Sequence, residues 1–365
     1  MKVECQIDKI KKALTDADKI TGKNLTLPIL SSILIIASDK SLKFRSTNIN
    51  LGIEIEIPAK VEKQGVVAVH GTTIATLFSS LNDQGAVVLE QNDQSLNIQT
   101  KHSSFVIKSY SHEDFPTIPV IEGEEIQLSI KKFIDGIKSV YYSSSLSDIK
   151  PEIASIYIYS DNDSLVYVAT DSFRLAEKRI KFKSNTEFPG ILIPYKNIIE
   201  IIKIIGDLDG DISLIVNKNQ IAFNYPGLYL TSRAIDGVFP DYKQIIPKEF
   251  KSEAVVLKQN LLNTLKLSTI FSDKFNQITL SLKPNKKILE INSKNSDIGE
   301  HTTTIEGTFS GEDIEMSFNS KYIIDCFQSI SNDSIILKFN NTNKPMIIQS
   351  SQDSSFTYLV MPMNR

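Results

Sequence analysis

One strand-like pattern occurs three times in this chain at a constant spacing. Leu42-Lys-Phe-Arg-Ser-Thr-Asn48 alternates faces and ends in a polar turn, Leu165-Val-Tyr-Val-Ala-Thr-Asp171 does the same, and Ile288-Leu-Glu-Ile-Asn-Ser-Lys294 follows more loosely. Their first residues are 123 positions apart both times. A period of that length means a domain-sized unit copied in tandem. Each copy is preceded by apolar residues at three and four spacing: Ile7, Ile10, Leu14; then Ile130, Phe133, Ile134, Ile137; then Leu261, Leu262, Leu265. That spacing predicts an amphipathic helix. A second helical pattern follows each strand group, at 70–81, 194–205 and 319–330, with Pro194 placed at a helix start. Paired strands come next, over 87–110, 212–235 and 335–361, with polar tips such as Gln91-Asn-Asp-Gln94 and Asn217-Lys-Asn-Gln220.

Two proline-punctuated segments echo each other, Asp114-Phe-Pro-Thr-Ile-Pro119 and Val238-Phe-Pro-Asp-Tyr242 running on to Pro247. Such segments read as linkers. Three domains are therefore expected, at 1–122, 123–247 and 248–365. Within each, two helices and strands of alternating type imply an α+β fold, sheet packed on helices.

A length of 365 residues with 41% hydrophobic and 23% charged residues is enough for real cores and excludes a disordered or collagen-like chain. The formal charge of −3 excludes a histone-like polycation, so any nucleic acid must be held by a local patch. Cys5 and Cys326 lack metal-type spacing and suit a reducing compartment. With neither a signal-peptide pattern nor an apolar run long enough to span a bilayer, the expected location is cytoplasmic, without membrane contact.

Enzyme signatures are missing where they would be sought. Gly22-Lys23 lacks the upstream glycine of a phosphate loop, and His70, His102, His112 and His301 are scattered. Asp207-Leu-Asp-Gly-Asp211 opens like a calcium loop, but position 12 would be Lys218. No serine sits in a nucleophile elbow. No catalytic residue, metal or cofactor is expected.

The segment Val168-Ala-Thr-Asp-Ser-Phe-Arg-Leu-Ala176, with Asp236-Gly-Val-Phe-Pro-Asp-Tyr242, Leu25-Thr-Leu-Pro-Ile-Leu30 and Tyr358-Leu-Val-Met-Pro-Met363, resembles the bacterial sliding clamps, the beta subunits of DNA polymerase III. The resemblance runs end to end. It implies three tandem repeats of the DNA-clamp (processivity) fold and a head-to-tail homodimer ring with helices lining the hole and sheets outside. It also implies a non-catalytic processivity factor that encircles double-stranded DNA without reading its sequence. Implied partners are the DNA polymerase III alpha subunit, the clamp loader and other clamp-binding replication and repair proteins. Twelve helices about 9 Å apart would enclose an opening of roughly 25 Å once helix thickness is removed, room for a duplex. Segments 8–20, 130–142 and 258–274 together carry an excess of five positive charges, the right sign for such a lining.

By the same resemblance a partner-peptide groove falls on Thr170, Ser172, Phe173, Arg174, Leu175, Pro240, Gln244, Ile245, Phe275, Asn319, Tyr322, Met361, Pro362 and Met363, with Ile153 on the facing wall. Methionines suit an adaptable apolar groove. DNA-facing residues would be Lys23, Asn24, Lys131, Lys132, Lys138, Lys196, Lys203 and Lys266, and the dimer interface Leu77, Leu81, Phe105, Ile107, Ile270 and Phe271. Three departures stand out: Ser172-Phe173 replaces a usual Gly-His pair, Gln244 stands where arginine is frequent, and Asn24 takes the place of an arginine that commonly meets DNA. Two other readings compete. One is a cytoplasmic repeat-built enzyme with its site between domains near Asp171 and Arg174; the other is a β-rich scaffold that binds only proteins.

Overall fold

The computed structural model describes residues 1–22, 27–182 and 188–363. These form six α-helices and three antiparallel sheets. The helices are α1 (Ile7–Asp18), α2 (Gly71–Ser80), α3 (Ile130–Val140), α4 (Tyr195–Ile205), α5 (Lys258–Ile270) and α6 (Ser320–Asp325), the last running on as a 3-10 turn, Cys326–Ser329. They fall where the periodicity places them, because the spacing that marks them is what buries one face. In α1, Ile7, Ile10, Ala13, Leu14 and Ala17 are buried; in α3, Ile130, Phe133, Ile134, Ile137 and Val140. Pro194 differs from the expectation: it ends the strand Ile191–Pro194, and Tyr195 opens α4.

Glycine in a helix interior costs about 1 kcal/mol relative to alanine, so Gly136 in α3 needs a reason. It is found in the fully buried Tyr167 of the strand Ser164–Thr170, whose Cε2 would lie 2.4 Å from a Cβ at position 136. Phe133 meets the same ring edge-on, centroids 6.1 Å apart. The small residue lets the helix settle onto the sheet.

The chain groups into two compact units, Met1–Lys131 with Ile199–Ala234, and Lys132–Ile198 with Ile235–Arg365. In the first, a 13-stranded sheet runs in the order Glu124–Ser129, Asp211–Val216, Gln220–Tyr225, Leu228–Arg233, Leu51–Pro58, Ser41–Thr47, Ser32–Ser38, Gly65–His70, Ser104–Tyr110, Ser95–Gln99, Ala86–Asn92, Lys2–Gln6, Lys60–Lys63. The second unit holds nine strands: Ile191–Pro194, Ser155–Asp161, Ser164–Thr170, Arg174–Lys181, Phe356–Val360, Met346–Ser350, Ser334–Phe339, Ser252–Leu257, Gly307–Gly311. A separate four-stranded sheet there is ordered Gly299–Ile305, Ile288–Asn295, Gln277–Lys283, Ile314–Asn319.

Successive repeats are thus joined by strand pairing. In the first unit Leu51 of the first repeat faces Ser232 of the second; in the second unit Arg174 of the second repeat faces Val360 of the third. Main-chain hydrogen bonds of this kind resist sliding, since a one-residue slip would turn every buried side chain outward. The second pairing brings the end of the chain beside the turn at 171–173.

Candidate functional site

Two side chains build the turn between Thr170 and Arg174. The Thr170 hydroxyl donates to the Arg174 carbonyl (2.6 Å) and accepts from the Ser172 N–H (3.2 Å). Asp171 Oδ1 accepts from the N–H groups of Phe173 (2.9 Å) and Arg174 (3.0 Å), and its Oδ2 from Arg174 Nε (2.9 Å). Threonine and aspartate here satisfy donors that a tight turn leaves without partners. Ser172 adopts φ +79° at its apex, and Phe173 is turned outward, 61% exposed.

Arg174 is held on three sides. Its guanidinium lies 4.5 Å above the centre of the Tyr322 ring, and Nη1 donates to Asp325 Oδ2 (2.5 Å). Burial works against its charge, but Tyr358, Asp325 and Asp171 outweigh it and raise its pKa above the ordinary guanidinium value. Asp171 and Arg174 therefore frame a turn. Asp325 was missed at the sequence level because nothing in spacing links it to a residue so far upstream.

The C-terminal strand completes the site. After the strand Phe356–Val360, the Met361 N–H donates to the Phe173 carbonyl (2.8 Å), and the Met363 N–H to the Ser317 carbonyl (2.8 Å). Met361 packs on a buried cluster that includes Val168, Leu175, Phe239, Tyr242, Ile347 and Leu359. The proline linker is anchored into the same cluster. Phe239 stacks on Tyr157 with centroids 5.2 Å apart, and the Tyr242 hydroxyl donates to Glu177 Oε2 (2.5 Å) and meets the Tyr159 hydroxyl at 2.8 Å. Burial, followed by the Glu177 contact, raises the Tyr242 pKa well above the usual phenol range. With Phe239 and Tyr242 inward, Pro240, Gln244 and Ile245 are left exposed, and Gln244 Nε2 donates to Asp241.

The remaining groove candidates form a looser set. Ile153 is half-buried, in a segment that lies against the linker: a Cβ on Gly237 would come within 2.9 Å of Glu152 Cγ. Asn319 caps α6 by accepting from the Lys321 N–H (2.9 Å). Phe275 is exposed beneath Lys274, whose Nζ lies 5.0 Å from the ring centre. Pro362 and Met363 are half-buried.

Among the proposed DNA-facing residues, Lys131, Lys132, Lys138, Lys196, Lys203 and Lys266 are all exposed; Lys196 pairs with Asp148 and Lys203 with Glu200. Lys23 and Asn24 lie outside the described residues. Of the interface set, Ile270 is 60% exposed at the end of α5, and Leu77, Leu81, Phe105 and Phe271 are half-buried. Ile107 corrects the expectation of an exposed apolar edge. Strand alternation turns it into the core at 9% exposure, and Val106 is the outward residue at 70%. Residues 104–108 pair with the strand Ser95–Gln99 on one side, while the strand Gly65–His70 meets only Ser109 and Tyr110, so among the described residues the edge at 104–108 is open.

A thrice-repeated α+β unit, joined copy to copy by strand pairing and carrying an apolar site beside its last strand, is the build of a clamp-fold protein. The chain belongs to the DNA polymerase III beta subunit family: the family's sequence models match its N-terminal domain at residues 1–119, its central domain at 127–241 and its C-terminal domain at 243–364. Relatives named "Beta sliding clamp" include those of Synechococcus elongatus, 26% identical over 100% of this chain and 99% of the relative, and Staphylococcus epidermidis, 26% identical over 96% of each. The crystal structure of the Bacillus subtilis DNA polymerase sliding clamp superposes with a TM-score of 0.95 at 24% identity, covering 100% of this chain and 99% of that one. The Pseudomonas aeruginosa DNA polymerase III beta subunit gives 0.95 at 21% identity, with both chains fully covered. These structures bear on the fold.

Proposed function

We propose that this sliding-clamp family member works as a homodimeric ring of three-domain subunits, divided near 1–122, 123–247 and 248–365, that encircles duplex DNA and tethers replication and repair proteins to it. The observation that carries the reading is the match of three consecutive clamp-domain models across the chain. Polymerase and clamp-loader peptides bind at the turn of Thr170–Leu175, the linker around Pro240 and the methionines of the C-terminus. The buried cluster beneath Met361 supports this placement, because a few desolvated apolar anchors supply most of the energy at such sites. DNA meets the exposed lysines of α3, α4 and α5 through its phosphates, so binding is indifferent to sequence. The protein acts without catalysis in the cytoplasm; no helix among the described residues is long and apolar enough to cross a membrane.

The decisive experiment is topological. Loaded onto a nicked circular plasmid, the clamp should be retained through gel filtration and released when the plasmid is linearised. Retention unaffected by linearisation would overturn encirclement. The double change Met361→Ala with Met363→Ala should weaken a hydrophobic clamp-binding peptide at least tenfold, about 1.4 kcal/mol, and leave the dimer intact. Unchanged affinity would put the groove elsewhere.

A further inference from the structure

The strand Arg174–Lys181 carries a carboxylate into the core. Leu175 and Glu177 are two residues apart, so their side chains leave the same face, and both are buried, Glu177 at 9% exposure. Across the strand pair Glu177 faces Val168. Burying a carboxylate among apolar neighbours is costly unless its oxygens find donors. Both do. Oε2 accepts from the Tyr242 hydroxyl (2.5 Å) and Oε1 from Nη1 of Arg179 (3.2 Å), whose Nη2 donates to Asp161 Oδ2 (2.5 Å). A phenol has one proton to give. Tyr242 gives its own to Glu177, so at the 2.8 Å contact between the two hydroxyls Tyr159 is the donor and Tyr242 the acceptor. Glu177 thereby sets the direction of the whole chain, from Tyr159 through Tyr242 to the carboxylate.

The backbone of Tyr242 passes this order on to the groove. Its N–H donates to the Pro240 carbonyl (2.7 Å), and its carbonyl accepts from the Ile245 N–H (3.1 Å). The two exposed linker residues of the groove are thus tied to the one linker residue that Glu177 holds. The Tyr242 ring packs in the buried cluster with Leu175 and Leu359, against which Met361 also lies. Glu177 therefore reaches the linker side of the groove from the very strand that supplies Arg174 and Leu175 to the other side. Apolar packing alone is non-directional and would let the linker slide on the sheet, whereas a hydrogen bond to a charged acceptor fixes a distance and an angle.

We propose that Glu177 is a positioning residue for partner-peptide binding: through the Tyr242 hydroxyl it holds Pro240 and Ile245 at a set spacing from Leu175 and Met361, so the groove is formed before a peptide arrives. A wall that had to be ordered on binding would subtract from affinity. The proposal rests on the reading of the methionine groove as the peptide site, and the test keeps the two apart.

The probe is a fluorescein-labelled hydrophobic clamp-binding peptide, titrated by anisotropy into the full-length protein, with far-UV circular dichroism as the check on folding. Tyr242→Phe, which keeps the ring and removes only the hydroxyl, and Glu177→Ala should each weaken the peptide about three- to tenfold, and the double change no more than the larger of the two, because both break one contact. Glu177→Gln, whose amide oxygen still accepts from Tyr242, should recover most of the affinity lost in Glu177→Ala. Ile245→Ala should cost less affinity in the Tyr242→Phe background than in the wild type, since a wall no longer held contributes less. Gly136→Ala, whose added methyl would meet the Tyr167 ring far from the groove contacts, should bind the peptide as the wild type does. Should Glu177→Ala not fold, Tyr242→Phe decides. Wild-type affinity in Tyr242→Phe, while Met361→Ala with Met363→Ala still weakens the peptide, overturns the proposal and leaves the groove standing. If the methionine variant also binds as the wild type does, the groove reading falls and the proposal with it. A loss in Tyr242→Phe that Gly136→Ala matches at equal loss of stability, or a Glu177→Gln variant as weak as Glu177→Ala, makes the contact structural only and overturns the proposal as well.

Discussion

Ser172 and Ile49 occupy left-handed backbone where a Cβ is strained by about 1–2 kcal/mol, at the tips of turns whose hydrogen bonds come from a threonine and its neighbour. Ser172→Gly should therefore stabilise the protein by about 0.5–1 kcal/mol, the released strain exceeding the entropy that glycine adds to the unfolded chain. A higher midpoint in thermal or urea unfolding checks this; a lower one would mean that the serine hydroxyl makes a compensating contact. The cysteines invite a second test. Burial pushes the Cys5 thiol up to about 12, and the fully buried Cys326 is raised too. At pH 8 only about one part in ten thousand of Cys5 is thiolate, so the native protein should resist Ellman's reagent while the urea-unfolded chain titrates two thiols. At this scale the sequence was partly legible. Thr47-Asn48 and Thr170-Asp171 announced the twin turns through their spacing, whereas the Tyr242, Glu177 and Tyr159 contacts depend on three segments meeting in space, which no local pattern records.

Helices were the most readable elements, because the three-and-four spacing that identifies them is also the geometry that buries them. Gly136 shows what that spacing leaves out: its role depends on Tyr167, a residue of another element. Gly136→Ala should improve helix propensity yet destabilise the protein, by about 1–3 kcal/mol, because the added methyl would overlap the Tyr167 ring. Adding Tyr167→Leu should recover much of the loss; if Gly136→Ala alone is neutral or stabilising, the helix has room to shift. Strand partners were harder to read. Alternation identifies a strand and its faces but not its neighbour, so Leu51 opposite Ser232 and Arg174 opposite Val360 could not be read from either segment alone. The candidate groove shares this limit: the turn was visible in the sequence, while its juxtaposition with Met361 follows from one of those pairings.

For the molecule as a whole, the open strand edge at 104–108 and the exposed Ile270 at the end of α5 are features that a partner subunit would cover. In the ring proposed above, two copies would meet head to tail, edge to helix end. Sedimentation of the wild type at micromolar concentration should show a dimer, and Ile270→Ala with Phe271→Ala should give monomers; a monomeric wild type would sink the arrangement. Lys131→Glu, Lys132→Glu and Lys138→Glu together should lower retention on circular DNA without changing that dimer, and unaltered retention would place the DNA path elsewhere. The pairing of Leu51–Pro58 with Leu228–Arg233 has one more consequence. A gene fragment ending at residue 122 would supply the first of these strands without the second. Its exposed margin would read Ile-Glu-Ile-Glu-Ile, with Ile53, Ile55 and Ile57 belonging to the core of the intact protein. An exposed edge of this kind can pair with other strands, so the isolated first repeat should self-associate, which light scattering would detect and a monodisperse fragment would refute.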